Sequence, residues 1–234
     1  MDLQKEIGAN IRDLRKRRGI RINELARAIS KSSATVSKYE NGLIALDIQT
    51  MYEIAAALKV PPERLLYSPP IEAEDLTSDD VPAFFRGFNR FYLYFYDGRD
   101  NSVVRSILDI RNQVGPGVYD AMLYMNFADY DHYRNCEITY TGTLSHFDAI
   151  SNLVVQNPDS AMDIYLISIP STYLNAESKW GQDFGISGRP IMPTSNKVFI
   201  SKTIQKETSE FIRDLHVSKE DIRLLKQYNM LVVL

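Results

Sequence analysis

The sequence predicts an α+β protein of two domains: an all-α domain of five helices, then a mainly antiparallel β-rich domain with a C-terminal helix. Three observations predict it. Apolar residues recur at helical spacing from Ile7 to Leu66. The stretch from Tyr67 to Pro82 holds Pro69-Pro70 and the acids Glu72, Glu74, Asp75, Asp79 and Asp80, a composition that stiffens and extends a linker. From Phe84 onward, apolar residues alternate in short runs, the period of strands. The expected division is a first domain at 1–68, a linker at 69–82 and a second domain at 83–234.

Helix one is expected from about Leu3 to Arg18, with Ile7, Ile11 and Leu14 inward and Gly19 as its stop. Between Asn23 and Asn41 the pattern is two short helices and a tight turn. Leu25, Ala26 and Ile29 share one face, and Val36 and Tyr39 repeat the three-residue step after the turn. Ala26 is small where two helices must approach. Ser32 stands where an N-cap is needed, so its hydroxyl can accept from a free N–H of the next helix. Asn41-Gly42 ends that helix, because both residues tolerate a left-handed backbone. Two helices of about eight residues around a turn of three to four describe a helix-turn-helix. A fourth helix, about Ile48 to Leu58, turns Met51, Ile54, Ala55 and Leu58 inward. Pro61-Pro62 stops it and starts a short fifth helix through Leu66.

Residues 7–66 resemble the Cro/C1-type (XRE family) helix-turn-helix domain, the lambda-repressor-like five-helix fold. The resemblance rests on Ile11, Leu14, Arg15, Gly19, Glu24-Leu25-Ala26, Ile29, Ser32, Thr35-Val36-Ser37, Glu40-Asn41-Gly42 and Ile54-Ala55; it needs no gaps and covers about a quarter of the chain. It implies a sequence-specific transcriptional regulator, with double-stranded DNA as partner and no cofactor. It implies that Ser33, Ala34, Ser37 and Lys38 meet base edges from the second helix. Thr35, Asn41 and the amides near Ser32 would hold phosphates, helped by the helix N-terminus, and Arg21 and Lys31 are assigned to DNA as well. Arg15 and Glu40 match a family ion pair between the first and third helices. The chain also departs from the pattern. Ile22 replaces the usual Gln at the start of the second helix, Ser30 replaces the turn Gly, and the loop Leu43-Ile44-Ala45-Leu46-Asp47 is not basic. The readers are short, so specificity is expected to lean on Lys38, on methyl contacts from Ala34 and on DNA shape.

Charge supports the same division. Residues 1–66 hold 12 Lys and Arg against 8 Asp and Glu, while the rest holds 15 against 22, within an overall charge of −3. A basic head on an acidic body suits a module that touches phosphates while its body stays off them. The cluster Arg15-Lys16-Arg17-Arg18 with Arg21 supplies much of that head, and it equally suits a solvated helix C-terminus. A single cysteine, Cys136, excludes an intrachain disulfide framework and is expected to be a buried thiol. No apolar run approaches a membrane span and no signal peptide is recognised, so the chain is expected in the cytoplasm, with no membrane partner.

In the second domain, eight aromatics fall between Phe84 and Tyr96. Phe91, Leu93 and Phe95 point to one side, and Tyr92, Tyr94 and Tyr96 to the other. Asp97-Gly98 signals a hairpin turn. Further strands are expected at Val103–Ile110, Ala121–Phe127, Cys136–Leu144, Ile150–Gln156, Asp163–Ile169 and Asn196–Lys202, and a last helix opens at Ser218 with Ile222 and Leu225. The tyrosine face, Tyr92, Tyr94 and Tyr96, reads as a packed core or interface, or as a small-molecule pocket. Trp180 to Pro193, with three glycines and Arg189, reads as a structural loop or a ligand-closing one. No metal site is expected: His132, His146 and His216 have no partner at ligand spacing. No nucleophile motif is found, so catalysis is not expected. The whole reads as a dimeric regulator, most simply a repressor, whose second domain dimerises and senses a small molecule. The alternatives are an antitoxin-like or phage-immunity regulator with a protein effector, or an enzyme tethered to DNA.

Overall fold

The computed structural model describes residues 3–60, 62–66, 76, 80–171, 176–188 and 190–232, and divides into two compact units, Met1–Pro69 and Pro70–Leu234. Most of the stretch read as a linker lies outside the described residues. Within it, Leu76 and Val81 are fully buried in the core of the second unit.

The first unit is four helices, α1 (Leu3–Arg17), α2 (Ile22–Ala28), α3 (Ser33–Glu40) and α4 (Ile48–Leu58), then a single 3-10 turn at Pro62–Arg64 where a fifth helix was expected. Gly19 ends α1 with φ of 65°. Ser30, in the turn after α2, also takes a left-handed backbone (φ 53°), which explains why glycine is the easier residue there. Ile11, Leu25, Ile29, Val36, Ile54 and Leu58 form the core, each at most 2% exposed. Burying such a side chain contributes about 1.5–3 kcal/mol, and five elements of this length have little else to hold them.

The second unit contains β1 (Arg90–Asp97), β2 (Ser102–Gly115), β3 (Val118–Met125), β4 (Ile138–His146), β5 (Ile150–Gln156), β6 (Ile164–Pro170), β7 (Ser178–Gly188), β8 (Ile191–Thr194) and β9 (Lys197–Ser201), then α5 (Ser209–Leu215) and α6 (Lys219–Tyr228). The sheet order is β6-β5-β4-β3-β2-β1-β9-β7-β8, with every pairing antiparallel. β6 also pairs with β7, Leu166 facing Phe184. That contact closes β1 to β7 and β9 into an eight-stranded barrel, with β8 as an arm of β7. A barrel of eight strands is just wide enough for side chains to fill. Phe91, Leu93, Leu108, Leu123, Leu153 and Ile200 are among those that do.

The glycine-rich segment from Trp180 is therefore no loop but barrel strand and hairpin, apart from Arg189, which lies outside the described residues. Its inward positions are Gly181, Asp183, Gly185 and Ser187, all buried. A Cβ at Gly181 would stand 2.8 Å from the Ser168 carbonyl oxygen, and one at Gly185 would stand 2.6 Å from the Tyr165 ring. The glycines make room inside the barrel. Because they replace the inward apolar residues, the usual alternation is missing and the strand was not expected.

The C-terminal helices also differ from expectation. α5 was not anticipated, and α6 buries Leu224 while Ile222 and Leu225 stay 43% and 42% exposed. Cys136 is buried, just ahead of β4.

One end of the barrel is stoppered by its own chain. Phe84 and Phe85 pack on Phe91 at the start of β1, with ring centroids 5.0–5.2 Å apart, and Phe85 lies 4.8 Å from the His146 ring at the end of β4. His146 is buried, with Nδ1 2.9 Å from Ser151 Oγ, and burial lowers its pKa from 6.5 to about 4. An unfolded chain takes up a proton below pH 6.5 that the folded ring refuses. Stability is therefore full above pH 6.5, falls towards pH 4, and loses nothing more from this group below that. The expected loss is about 3 kcal/mol. Denaturant unfolding of the second domain at pH 7 and pH 4 should show it, and His146→Gln should remove that share of the pH dependence.

Candidate nucleic-acid interface

α3 is fastened by one face and bare on the other. Val36, Tyr39 and Glu40 are buried. Ser32, Ser33, Ala34, Lys38 and Asn41 are exposed, and Thr35 and Ser37 are partly so. Arg21, at the start of α2, and Lys31, in the turn, are exposed as well. The nine residues assigned to DNA are thus the N-cap of α2, the turn residues Lys31 and Ser32, and positions in and just after α3.

Each end of α3 is closed by a side chain. Ser32 Oγ accepts from the Thr35 backbone N–H at 3.0 Å and lies 2.8 Å from Thr35 Oγ1. A cap of this kind contributes about 1 kcal/mol. At the other end Asn41 Nδ2 donates to the Ser37 carbonyl at 2.7 Å. Ser32, Thr35 and Asn41 therefore shape the helix ends with the same polar atoms that would face phosphates. In α2 the Arg21 backbone N–H donates to Glu24 Oε2 at 2.7 Å. Ile22, where the family pattern has a Gln, turns its side chain to the core and packs with it.

The inner face is held by a buried ion pair. Arg15 Nε donates to Glu40 Oε1 at 2.6 Å and Nη2 to Oε2 at 2.9 Å, while Nη1 donates to the Ile20 carbonyl at 3.0 Å. The hydrogen bond to Glu40 raises the Arg15 pKa above its ordinary value, outweighing the opposing effect of burial. One guanidinium thus ties α1, the loop after it and the end of α3 together. Gly8 adds a contact that sequence reasoning missed: a Cβ there would sit 2.3 Å from the Tyr39 carbonyl oxygen, so only glycine lets α1 come this close to α3. The sole signal was a glycine among helix-forming residues.

The loop after α3 is apolar and open. Leu43 is 68% exposed, and Ile48 and Tyr52 on α4 are exposed too. Asp47 caps α4, its Oδ1 accepting from the Thr50 N–H at 2.8 Å, and its bonds to Thr50 lower its pKa.

The tyrosine face of the second unit, read as a packed core or interface or as a pocket, is packed. Tyr94 has no exposed surface; its hydroxyl accepts from Tyr130 Oη and from the Gln205 backbone N–H, both at 2.9 Å, and its ring meets Phe211 of α5 edge-on. Tyr92 packs on Tyr130, and Tyr96 stacks on His216 at 3.7 Å. The strand's outward aromatics are consumed by the docking of α5 and of the segment before β4. Trp180 packs on Phe199 and borders a shallow hollow with Ile212, Arg213 and His216, apart from the three tyrosines. Among the described residues, no group of three His, Cys, Asp or Glu is placed to hold a metal ion, and no helix is long and apolar enough to cross a membrane.

Residues 11–65 match a family model described as helix-turn-helix, HTH_3. Solved structures with similarity include the clp gene regulator ClgR from C. glutamicum, 25% identical over 27% of this chain and 82% of that one, with a TM-score of 0.27. A hypothetical transcription factor from Neisseria is 31% identical over 29% of this chain and 78% of its own, with a TM-score of 0.28. The hydroxypropylphosphonic acid epoxidase of S. wedmorenis aligns over 88% of this chain and 94% of its own, at 13% identity and a TM-score of 0.32. At that level the alignment carries no information on chemistry in the second domain. No curated protein matches the chain.

Glu40→Ala strands the Arg15 guanidinium against the core. It should cost the first domain about 3 kcal/mol in urea unfolding. Arg15→Met combined with Glu40→Leu should recover most of that loss, since an apolar pair of similar size needs no charge compensation.

Proposed function

We propose, on the premise that residues 11–65 are a helix-turn-helix domain of the HTH_3 (XRE) family, that this chain is a dimeric, cytoplasmic repressor whose second domain pairs two copies and takes an effector. The premise makes it a DNA-binding transcriptional regulator. The observation that carries the rest is α3, held by Val36, Tyr39 and Glu40 and bare along Ser33, Ala34, Ser37 and Lys38. An outward helix with an exposed N-terminal turn enters a major groove and reads a half-site. Ser32, Thr35, Asn41, Arg21 and Lys31 surround it and set its register on the phosphates. Ser33 and Ala34 cannot make the bidentate base contacts that discriminate by about 1–3 kcal/mol each. One head therefore specifies little, and two copies at a fixed spacing specify more.

The second unit offers a surface for that pairing. Val154, Leu166 and Phe184 lie in one row across β5, β6 and β7, on the outside of the barrel. Val154 and Phe184 are 43% and 55% exposed, with Ile164 beside them at 49%. We assign catalysis to neither domain. The effector shifts DNA affinity by binding one arrangement of the dimer better than another.

Two measurements test this reading. Genome-wide recovery of bound DNA should give a two-fold symmetric motif, and Lys38→Ala should weaken occupancy about tenfold, relaxing preference at one base pair in each half-site; unchanged occupancy and motif would remove α3 from the groove. In sedimentation, Phe184→Glu should convert a dimer to a monomer with its helical content intact, and its operator binding should fall to that of a single head. A wild-type chain that stayed monomeric at all concentrations and on DNA would end the pairing argument.

A further inference from the structure

The two ends of the barrel differ. The end holding the β2–β3 turn and the start of β1 is filled by Phe84 and Phe85. The opposite end, where β1 turns into β2 and β7 into β8, contains a cavity of about 580 Å³. Small-molecule sites run from roughly 300 to 1,000 Å³. We propose that this open end of the barrel binds a small organic cation with an apolar body. The proposal rests on, and deepens, the reading of the second domain as an effector domain.

The floor is apolar and aromatic, built from the inward side chains of Phe95, Val104, Met125, Ile138, Tyr140 and Tyr165. Tyr140 and Tyr165 lie with ring centroids 5.7 Å apart and 30° between planes. Both are held in place. Tyr140 donates its hydroxyl to Asp163 at 3.1 Å, and Tyr165 donates to Asp183, which also accepts from Asn196. Asp183 is 1% exposed, so the second of these anchors is walled off from water. Side chains fixed in this way need no reordering when a ligand arrives.

The rim sets the sign of the ligand. Among the residues lining the cavity, the charged side chains are Asp97, Asp100, Glu137 and Arg99. Arg99 is committed: its Nε donates to Asp97 at 2.9 Å, and Nη1 donates to Ser187 on β7. Arg99 lies in the field of Asp100 as well as Asp97, and Glu137 accepts from Asn126 Nδ2 at 2.5 Å, so three carboxyl groups face one guanidinium and the rim keeps an excess of acidic groups. A concave site with low-dielectric walls concentrates such a field. An anion is repelled there, and a neutral ligand gains only from the floor. A cation gains from the rim and from the faces of the tyrosine rings.

Benzylamine, benzyl alcohol and benzoate share one body and differ in charge, so they separate these contributions. Calorimetry on the full chain should find benzylamine bound about tenfold more tightly than benzyl alcohol, with benzoate weakest. Backbone chemical shifts should move around Phe95, Met125 and Tyr140. Glu137→Gln and Asp100→Asn, both at exposed positions, should each weaken benzylamine several-fold and leave benzyl alcohol unchanged. Equal binding of the three compounds, no binding of benzylamine, or shifts confined to the outer surface would overturn the proposal. Charge-selective binding at the mouth with operator affinity unchanged would support the site and refute the effector role. Loss of the site would leave DNA binding by the first domain untouched, so the two readings fail separately.

Discussion

An eight-residue helix does not keep its shape alone in water. Nucleation is costly, and isolated helices shorter than about 12–15 residues are marginal. α3 has eight residues, so its shape depends on what its inner face is fastened to. Here that is Val36 and Tyr39 in the core, the bidentate clasp of Arg15 on Glu40, and the close approach of α1 that Gly8 permits. Ser32 and Asn41 close the two ends. With its stability provided from one side, the other side has no structural duty. That separation is what allows Ser33, Ala34 and Lys38 to remain exposed without loss to the fold.

The barrel obeys a related constraint. Closing eight strands leaves limited room, and this interior spends it on large rings such as Phe91, Tyr119, Tyr140 and Tyr165. Rings of that size fit only where a facing strand carries nothing. β7 provides that space for the Tyr165 ring at Gly185, while Gly181 and, on β4, Gly142 instead let neighbouring backbone come close, a Cβ at Gly142 lying 2.1 Å from the Val154 carbonyl oxygen. The polar residues between the β7 glycines are then forced inside and must be satisfied there. Asp183 is, by Tyr165 and Asn196. The same strand that relieves crowding thus brings a carboxyl group into the barrel, where it anchors the Tyr165 ring.

Legibility followed periodicity. The helices of the first unit and the turn between α2 and α3 were readable because each element carries apolar spacing, a cap and a stop that agree. Seven strands were readable from alternation. β7 was not, because its inward face is Gly181, Asp183, Gly185 and Ser187, and the apolar period survives only outward at Trp180, Phe184 and Ile186. α5 was missed because it is a seven-residue helix whose Phe211, Ile212 and Leu215 make sense only against the tyrosines of β1. That also explains why the tyrosine face stayed open between packing and a pocket. Alternation showed correctly that Tyr92, Tyr94 and Tyr96 share a side, but not that a distant segment returns to cover them. In α6 the moment of the helix suggested Ile222 and Leu225, whereas Leu224 is the residue its docking buries. The cavity at the barrel mouth draws on side chains from seven strands and on Arg99 in the first hairpin. No local pattern marks residues gathered from so many places.

The short readers on α3 bear on how such a chain can be controlled. On the proposed reading, with Lys38 the one long side chain among the four assigned to bases, most of the affinity of a single head would come from phosphates. That contribution is insensitive to sequence and weakens with salt. Discrimination by one head is then small, and discrimination by two is the product of two small factors. The product is realised only while both heads sit in register on the same face of the duplex, one turn apart. An agent that alters spacing removes the whole second factor at once, whereas one acting on a single contact removes part of the first. In the proposed dimer, control through the second domain would therefore be the more effective lever for a reader built from serine and alanine, and it would need no change in α3 itself.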